Sequence, residues 1–507
     1  MEWGLLALSG AAFGAAFLPA PTGWLAWFSL VPLLRAANVS TPRRAFKAGW
    51  LFGAAAWAAG VPWVPRAVVV AIHVPSAAAW TGFLALCACA GVMYGVAAAL
   101  ISWLGPRLAA RLRASPAAVQ TGAAVPVLLA LEQHFPMAFP ARLANTQAFH
   151  LPFVQSADVF GLAGPGAVVA ALNAALFFAW AGEGRRRWLP LCAALLLAGT
   201  NEAYGLRRMR QVDAAVASAR AAGAVVRVGA LQGGIPSGRR FAAGKFEENL
   251  AVYNALAAEA ARDSASLLLW PENSYERLVG FPLAAGSSDE AAIVRDIAAT
   301  GADAVIGATG QREPGGRKLF LALLVDGSRR LLGVTGKRDR TPLMEALPLE
   351  GLVPGLDRVV LPRVWLLQPA PQNILRTPRG VKVGVYICYE ALLERNAREL
   401  TLSGAELLVN PANNDDIVPP LQAEQELRIT ALRAVENRRF VVRPSERSFV
   451  VDPAGRVSAR LEPGRRGVLL ADIPRLSGYS IYTALGPMLY SGAALAVLAL
   501  AGLALLP

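Results

Sequence analysis

The sequence predicts a multi-pass helical membrane region, an α/β layered sandwich behind it, and one more apolar helix at the end. Three observations predict this. Long apolar runs fill residues 1 to about 205 and recur at 485–507. Strand-like and helix-like patterns alternate in the charge-bearing stretch between them. Lys and Arg gather in alternate short loops of the first region. With 55% hydrophobic residues and a mean hydropathy of +0.42, the chain is too apolar for an ordinary soluble protein.

A helix needs roughly 20 apolar residues to cross a bilayer. Candidates lie near 3–19, 22–37, 46–65, 78–104, 119–133, 161–181, 187–204 and 485–506. That divides the chain into a membrane domain with about seven helices at 1–205, a domain at 206–484, and a last helix at 485–507. Glu2 stands where a cleaved signal peptide would carry its basic residues, so the first run is read as a retained helix. Basic residues mark three loops: Arg35, Arg43, Arg44 and Lys47; then Arg107, Arg111 and Arg113; then Arg185, Arg186 and Arg187. The loops between carry only Arg66 in one, Arg142 in another and none in Pro19–Gly23. By the positive-inside rule, 206–484 then lies outside the cytoplasm, in the periplasm of a Gram-negative cell. The net charge of +14 follows from these anchors and from attraction to anionic headgroups, rather than from nucleic-acid binding. No zinc spacing, phosphate loop or dinucleotide turn occurs, so neither a metal nor a cofactor is expected.

In the middle domain, strands are predicted at Val225–Leu231, Ser266–Trp270, Ala302–Thr309, Leu319–Val325, Arg330–Gly336, Val381–Ile387, Glu406–Asn410, Arg439–Arg443, Ser448–Asp452 and Gly467–Ala471. Helices are predicted at Gly244–Arg262, Ser288–Ala299, Ala391–Leu402 and Leu421–Glu436, with a helical connector over 206–223. Asp326-Gly327 and Pro453-Ala-Gly455 suit hairpin turns.

Four polar residues stand where such a fold holds ligands, at or just past strand ends. Cys388 ends the strand Val381–Ile387, which runs into a tight turn and then a predicted helix, whose free N–H groups favour a thiolate. Cys87, Cys89 and Cys192 lie in apolar stretches, so Cys388 is the only cysteine of the polar part, and no disulfide is expected there. A buried structural cysteine is the plainer alternative. Glu272 follows Leu267-Leu-Leu-Trp-Pro271, Lys337 follows Leu331-Leu-Gly-Val-Thr-Gly336, and Glu345 comes one short loop later. The histidines, His73, His134 and His150, all precede this domain. A carboxylate is therefore the simpler base: Glu272 can take the thiol proton, and Lys337 can hold a thiolate and a developing oxyanion.

These residues resemble the nitrilase superfamily, which uses a Glu-Lys-Cys triad on an α-β-β-α sandwich. The matching motifs are Trp270-Pro-Glu272, Gly336-Lys337 with Glu345 following, and Ile387-Cys388-Tyr389-Glu390. With apolar spans on both sides, the chain resembles the membrane branch of that superfamily, the apolipoprotein N-acyltransferases of bacterial envelopes. Phe17-Leu-Pro19, Gly49-Trp-Leu-Phe-Gly53 with Trp57 and Gly60, and Ala230-Leu-Gln-Gly-Gly-Ile-Pro236 extend the likeness along nearly the whole chain. The resemblance implies Glu272 as general base, Lys337 as oxyanion stabiliser and Cys388 as nucleophile. It implies Glu345 as a second carboxylate near the lysine, with Tyr389 and Glu390 shaping the pocket. It also implies transfer of an acyl chain from a phospholipid, chiefly phosphatidylethanolamine, through a cysteine thioester to the amine of a diacylglyceryl-cysteine lipoprotein, at the inner membrane.

The departures cluster around the pocket. Phe320-Leu-Ala-Leu323 replaces a Tyr-Asn-Ser run, Asn413-Asn-Asp-Asp416 and Ile417-Val-Pro-Pro420 replace an aromatic, Gly-containing loop, Pro444-Ser-Glu-Arg447 replaces Thr-Asn-Thr-Gly, and Phe139-Pro-Ala-Arg142 replaces Phe-Pro-Trp. Three alternatives stay open: an amidase or thioester hydrolase of the same superfamily, transfer to a different acceptor, and an inactive lipid-binding relative. The apolar segments Leu278-Val-Gly-Phe281 and Leu352-Val-Pro354 are candidates for a mouth at the bilayer surface.

Overall fold

The computed structural model describes residues 2–19, 21–72, 74–137, 139–236, 244–283, 286–342, 344–347, 366–413 and 419–506. His73, Leu352–Pro354 and residues 414–418 of the departing loop lie outside the described residues. The chain divides into two compact units. One comprises Met1–Arg210, Pro420–Arg428 and Ala484–Pro507; the other comprises Gln211–Pro419 and Ile429–Thr483.

The first unit is helical. Among the described residues, three helices are long and apolar enough to cross a membrane: Ser76–Leu112, Ala163–Ala181 and Met488–Leu505. Glu2–Ala15, Pro42–Gly60 and Pro116–His134 pack with them. The span expected near 22–37 does not form. It breaks into a 3₁₀ turn, Gly23–Trp27, and a nine-residue helix, Val31–Val39. Nine residues rise only about 14 Å, half the hydrocarbon thickness or less. Pro32 in the first turn explains the restart, since proline cannot follow a helical turn without breaking its hydrogen bonds. Buried Asn173 satisfies the backbone freed there: its amide donates to Ala26 O at 2.8 Å and its oxygen accepts the Leu30 N–H at 2.9 Å. The span near 187–204 instead runs on without a break as Leu189–Ala221, taking in most of the expected connector. Gly49, in the aromatic motif noted above, lets two helices touch: a Cβ there would sit 2.2 Å from Tyr94 O. Residues 420–428, expected in the sandwich, belong to this unit. Gln425 donates to Phe17 O and Gly60 O and accepts from the Trp63 indole.

The second unit is a sandwich of two sheets. Its strands are β1 Val225–Gln232, β2 Leu267–Leu269, β3 Tyr275–Gly280, β4 Asp303–Gln311, β5 Lys318–Val325, β6 Leu331–Gly336, β7 Ile374–Arg376, β8 Lys382–Val385, β9 Leu407–Val409, β10 Phe440–Arg443, β11 Phe449–Val451, β12 Val457–Arg460 and β13 Gly467–Pro474. One sheet runs β13-β1-β2-β4-β5-β6, with β3 added beside β4; the other runs β12-β11-β10-β9-β8-β7. Side-chain alternation sorts the layers. Leu267 and Leu269 meet Val383, Val385, Leu407, Val409 and Val442 in the core between the sheets. Leu268 and Trp270 face outward, into a second core with Leu250, Tyr253 and Leu256 of the helix Phe246–Arg262. Helix Glu394–Leu402 lies against β8 and β9 of the other sheet. The result is the expected α-β-β-α order. The Asp326-Gly327 and Pro453-Ala-Gly455 turns join β5 to β6 and β11 to β12.

The predicted helix Ala391–Leu402 is corrected. A 3₁₀ turn, Cys388–Leu392, comes first, and the α-helix begins only at Glu394, because Leu393 is extended. The thiol thus sits on the expected tight turn, and only the helix beyond it starts later, at Glu394.

Candidate active site

β1, β2 and β4 are parallel, and β6 runs the same way through the antiparallel β5; β8, β9 and β10 are parallel to one another. Glu272, Lys337, Cys388, Asn410 and Arg443 thus all stand at carboxyl ends of strands. Four of the expected groups converge there.

Lys337 is the centre. Its backbone is pinned, its N–H to Phe320 O and its carbonyl to the Ala370 N–H. Its side chain is 1% exposed, and its Nζ lies 2.7 Å from Glu345 Oε1, 3.5 Å from Glu272 Oε1 and 5.4 Å from the centre of the Phe320 ring. Burial pulls the ammonium down, but Glu345, Glu272 and Cys388 outweigh it and hold the lysine above its ordinary value. Glu345 is anchored in turn, its second oxygen accepting the Thr341 N–H at 2.8 Å.

Glu272 is 4% exposed. Burial raises its carboxyl above the usual range; Lys337 draws it back, Glu345 pushes it further up, and Arg443 draws it down. The loop that carries it lies directly on β4 because residue 307 is glycine. A Cβ there would come within 2.1 Å of Pro271 O and 2.8 Å of Glu272 Cα. Asn273 follows in the left-handed region at φ 53°, and its side-chain oxygen accepts from the Thr309 hydroxyl.

Cys388 is also left-handed, at φ 51°. A non-glycine residue held there costs about 1–3 kcal/mol and persists only where its surroundings impose it. Here its N–H donates to Pro411 O at 2.9 Å, and its carbonyl accepts from Asn410 Nδ2 at 3.2 Å. Glu390 acts as a clamp between two loops. Its buried carboxylate accepts the N–H groups of Arg338 at 2.8 Å, Asp339 at 2.9 Å and Ile387 at 2.6 Å. One side chain thus fixes the turn after the lysine to the turn before the cysteine. Burial pushes its carboxyl up to about 7, against the pull of the Asp339 and Ile387 N–H groups. Tyr389 is 9% exposed; burial pushes its phenol up to about 12, helped by Asp339.

Glu390 was expected beside the thiol, but its clamping role was not, since that depends on a loop 50 residues away in sequence. Asn410 and Arg443 went unremarked, although each ends a predicted strand as Glu272 and Lys337 do. On the candidate mouth, Leu278 is 40% exposed on β3, and the Arg312 guanidinium lies 5.1 Å from the Phe281 ring. Among the described residues, no group of His, Cys, Asp and Glu could hold a metal ion.

A thiol, a buried carboxylate and a buried cation stand together at the strand ends of a double-sheet sandwich, an arrangement suited to nucleophilic acyl chemistry of the carbon–nitrogen hydrolase class. The profile of the carbon-nitrogen hydrolase family matches residues 227–481, and that of the apolipoprotein N-acyltransferase N-terminal domain matches residues 9–175. Curated relatives similar to the chain are apolipoprotein N-acyltransferases. That of Geobacter metallireducens is 27% identical over 94% of this chain and 90% of its own length. That of Gloeobacter violaceus is 28% identical over 95% and 87%, and that of Azotobacter vinelandii 29% over 94% and 90%. Among solved structures, an amidase of the nitrilase superfamily from Nesterenkonia is 20% identical over 53% of this chain and 96% of its own, with a TM-score of 0.37. The chain belongs to the carbon-nitrogen hydrolase family, in its apolipoprotein N-acyltransferase branch.

Proposed function

We propose that the chain is a membrane acyltransferase that N-acylates lipoproteins in two steps, with Cys388 carrying the acyl group between them. Glu272 takes the Sγ proton as sulfur attacks an ester carbonyl of a phosphatidylethanolamine-like donor. Lys337 faces the oxyanion that forms, and the lysophospholipid alcohol leaves with the proton from Glu272. The N-terminal amine of a diacylglyceryl-cysteine lipoprotein then attacks the thioester and yields its proton to Glu272, and the thiolate leaves. Glu345 holds Lys337, and Glu390 and Tyr389 hold the thiol turn. The site sits on the far side of a bacterial inner membrane, with several spans anchoring it.

The observation that carries this reading is the buried Glu272–Lys337–Glu345 cluster beside Cys388, in a chain whose relatives along nearly all its length are named for this transfer. The test is mass spectrometry of Cys388 after incubation with phosphatidylethanolamine vesicles, followed by a synthetic diacylglyceryl peptide. An acylated Cys388 that discharges to the amine is expected, and Cys388→Ser is expected to form no adduct that turns over. Transfer at the unaltered rate by Cys388→Ser sinks the assignment; discharge to water alone makes the chain a hydrolase. A reporter fused at Asp326 is expected to be active outside the cytoplasm, and cytoplasmic activity would overturn the orientation.

A further inference from the structure

We propose that Arg443 is a positioning residue of this site: a fixed guanidinium that, through Asn410, holds the left-handed turn at Cys388 and sets positive charge beside the Glu272–Lys337–Glu345 cluster. Arg443 ends β10 and is 4% exposed. Its Nη1 donates to Asn410 Oδ1 at 2.6 Å. Asn410 is fully buried, and its Nδ2 donates to Tyr386 O at 2.7 Å and to Cys388 O at 3.2 Å.

The guanidinium decides which way that amide faces. Arginine has only donors, so it can meet only the oxygen of Asn410. The two carbonyls beyond then necessarily meet the NH₂. A flipped amide would set donor against donor and oxygen against oxygen. Arg443 thereby fixes the hydrogen bond to the Cys388 carbonyl, while Pro411 O takes the Cys388 N–H.

Its second role is charge. The groups that bear on Glu272 are Lys337 from the end of β6, Glu345 from the loop behind it, and Arg443 from β10. Cys388 bears on Lys337 from the other side. Two anions, Glu345 with either Glu272 or the thiolate formed as Glu272 takes the proton, exceed one ammonium, and like charges in one buried site suppress ionisation. Arg443 offsets part of that excess and draws the Glu272 carboxyl down against burial.

The inference rests on Cys388 being the nucleophile, but its test does not require acyl transfer. In the detergent-solubilised full chain, the rate of Cys388 alkylation by iodoacetamide is followed against pH by mass spectrometry of its peptide. Arg443→Met is expected to move the acid limb upward, the direction set by removing a nearby opposite charge. Arg443→Lys keeps the charge without the planar fork, so the limb stays while the rate falls. Asn410→Ser lowers the rate evenly across pH with the limb in place. In a Glu272→Gln background, Arg443→Met lowers the rate but leaves the limb where it is. A reactive Cys388 whose limb stays put in Arg443→Met overturns this inference alone. If Arg443→Met does not fold, a limb displaced in Arg443→Lys overturns it instead. A Cys388 that resists alkylation in the unaltered chain overturns the nucleophile assignment as well.

Discussion

Lys337 and Arg433 are both fully buried cations of the α/β unit, with side chains 1% and 0% exposed, yet they keep different company. Arg433 lies on the helix Pro420–Asn437 and faces Glu436 one turn on, with Nε 2.9 Å from Oε2 and Nη2 donating to Oε1 at 3.1 Å. Glu436 is the main anion it meets, and Glu394 adds to the pull. Lys337 faces two carboxylates, one at 2.7 Å and one at 3.5 Å, with a thiol beyond. The first arrangement is balanced, and either partner is costly to remove. In the second, two carboxylates share one ammonium, and Glu272 is the more loosely held, which fits the proton-trading role proposed for it. A buried ion cluster is thus read as structural or chemical by its balance and its spare valence, not by its burial.

Breaking each cluster separates the two. Glu272→Gln leaves Lys337 paired with Glu345, so the melting temperature is expected to hold or rise, while Cys388 acylation falls by about 10²–10⁴, the usual worth of a general base. A large loss of stability would show that Glu272 is structural after all. Arg433→Met takes the guanidinium away from buried Glu436 and is expected to cost about 3–5 kcal/mol in denaturant unfolding. Removing both charges in Arg433→Met/Glu436→Leu is expected to restore most of that, since a well-packed apolar pair is often as stable as a buried ion pair. A double variant as unstable as the single one would show that the pair does more than balance itself.

Much of this was legible in the residues. Apolar strands ending in Glu272, Lys337 and Cys388 announced both the sheets and the site, because a buried strand is a strong local pattern. What was missed lacks such a pattern. β3 carries Glu276, Arg277 and exposed Leu278, and it pairs along one edge only. β7 and β12 are short edge strands, and β12 is largely exposed. Proline broke the expected span near 22–37 into pieces, and Leu393 broke an expected helix. The Glu390 clamp and the Arg443–Asn410 link were hidden for another reason. Each joins segments far apart in the chain, and no local periodicity records such a bond.

The first and last strands of the sandwich, β1 and β13, are neighbours, antiparallel along their whole length from Val225 opposite Pro474 to Gln232 opposite Gly467. The strands by which the chain first enters the sandwich and last leaves it therefore lie side by side. A module with adjoining ends can be spliced into a connection of another protein without prising that connection apart. Adjoining terminal strands let the sandwich be held between two neighbouring chain segments, with Pro420–Arg428 as the internal stretch that it gives to the helical unit.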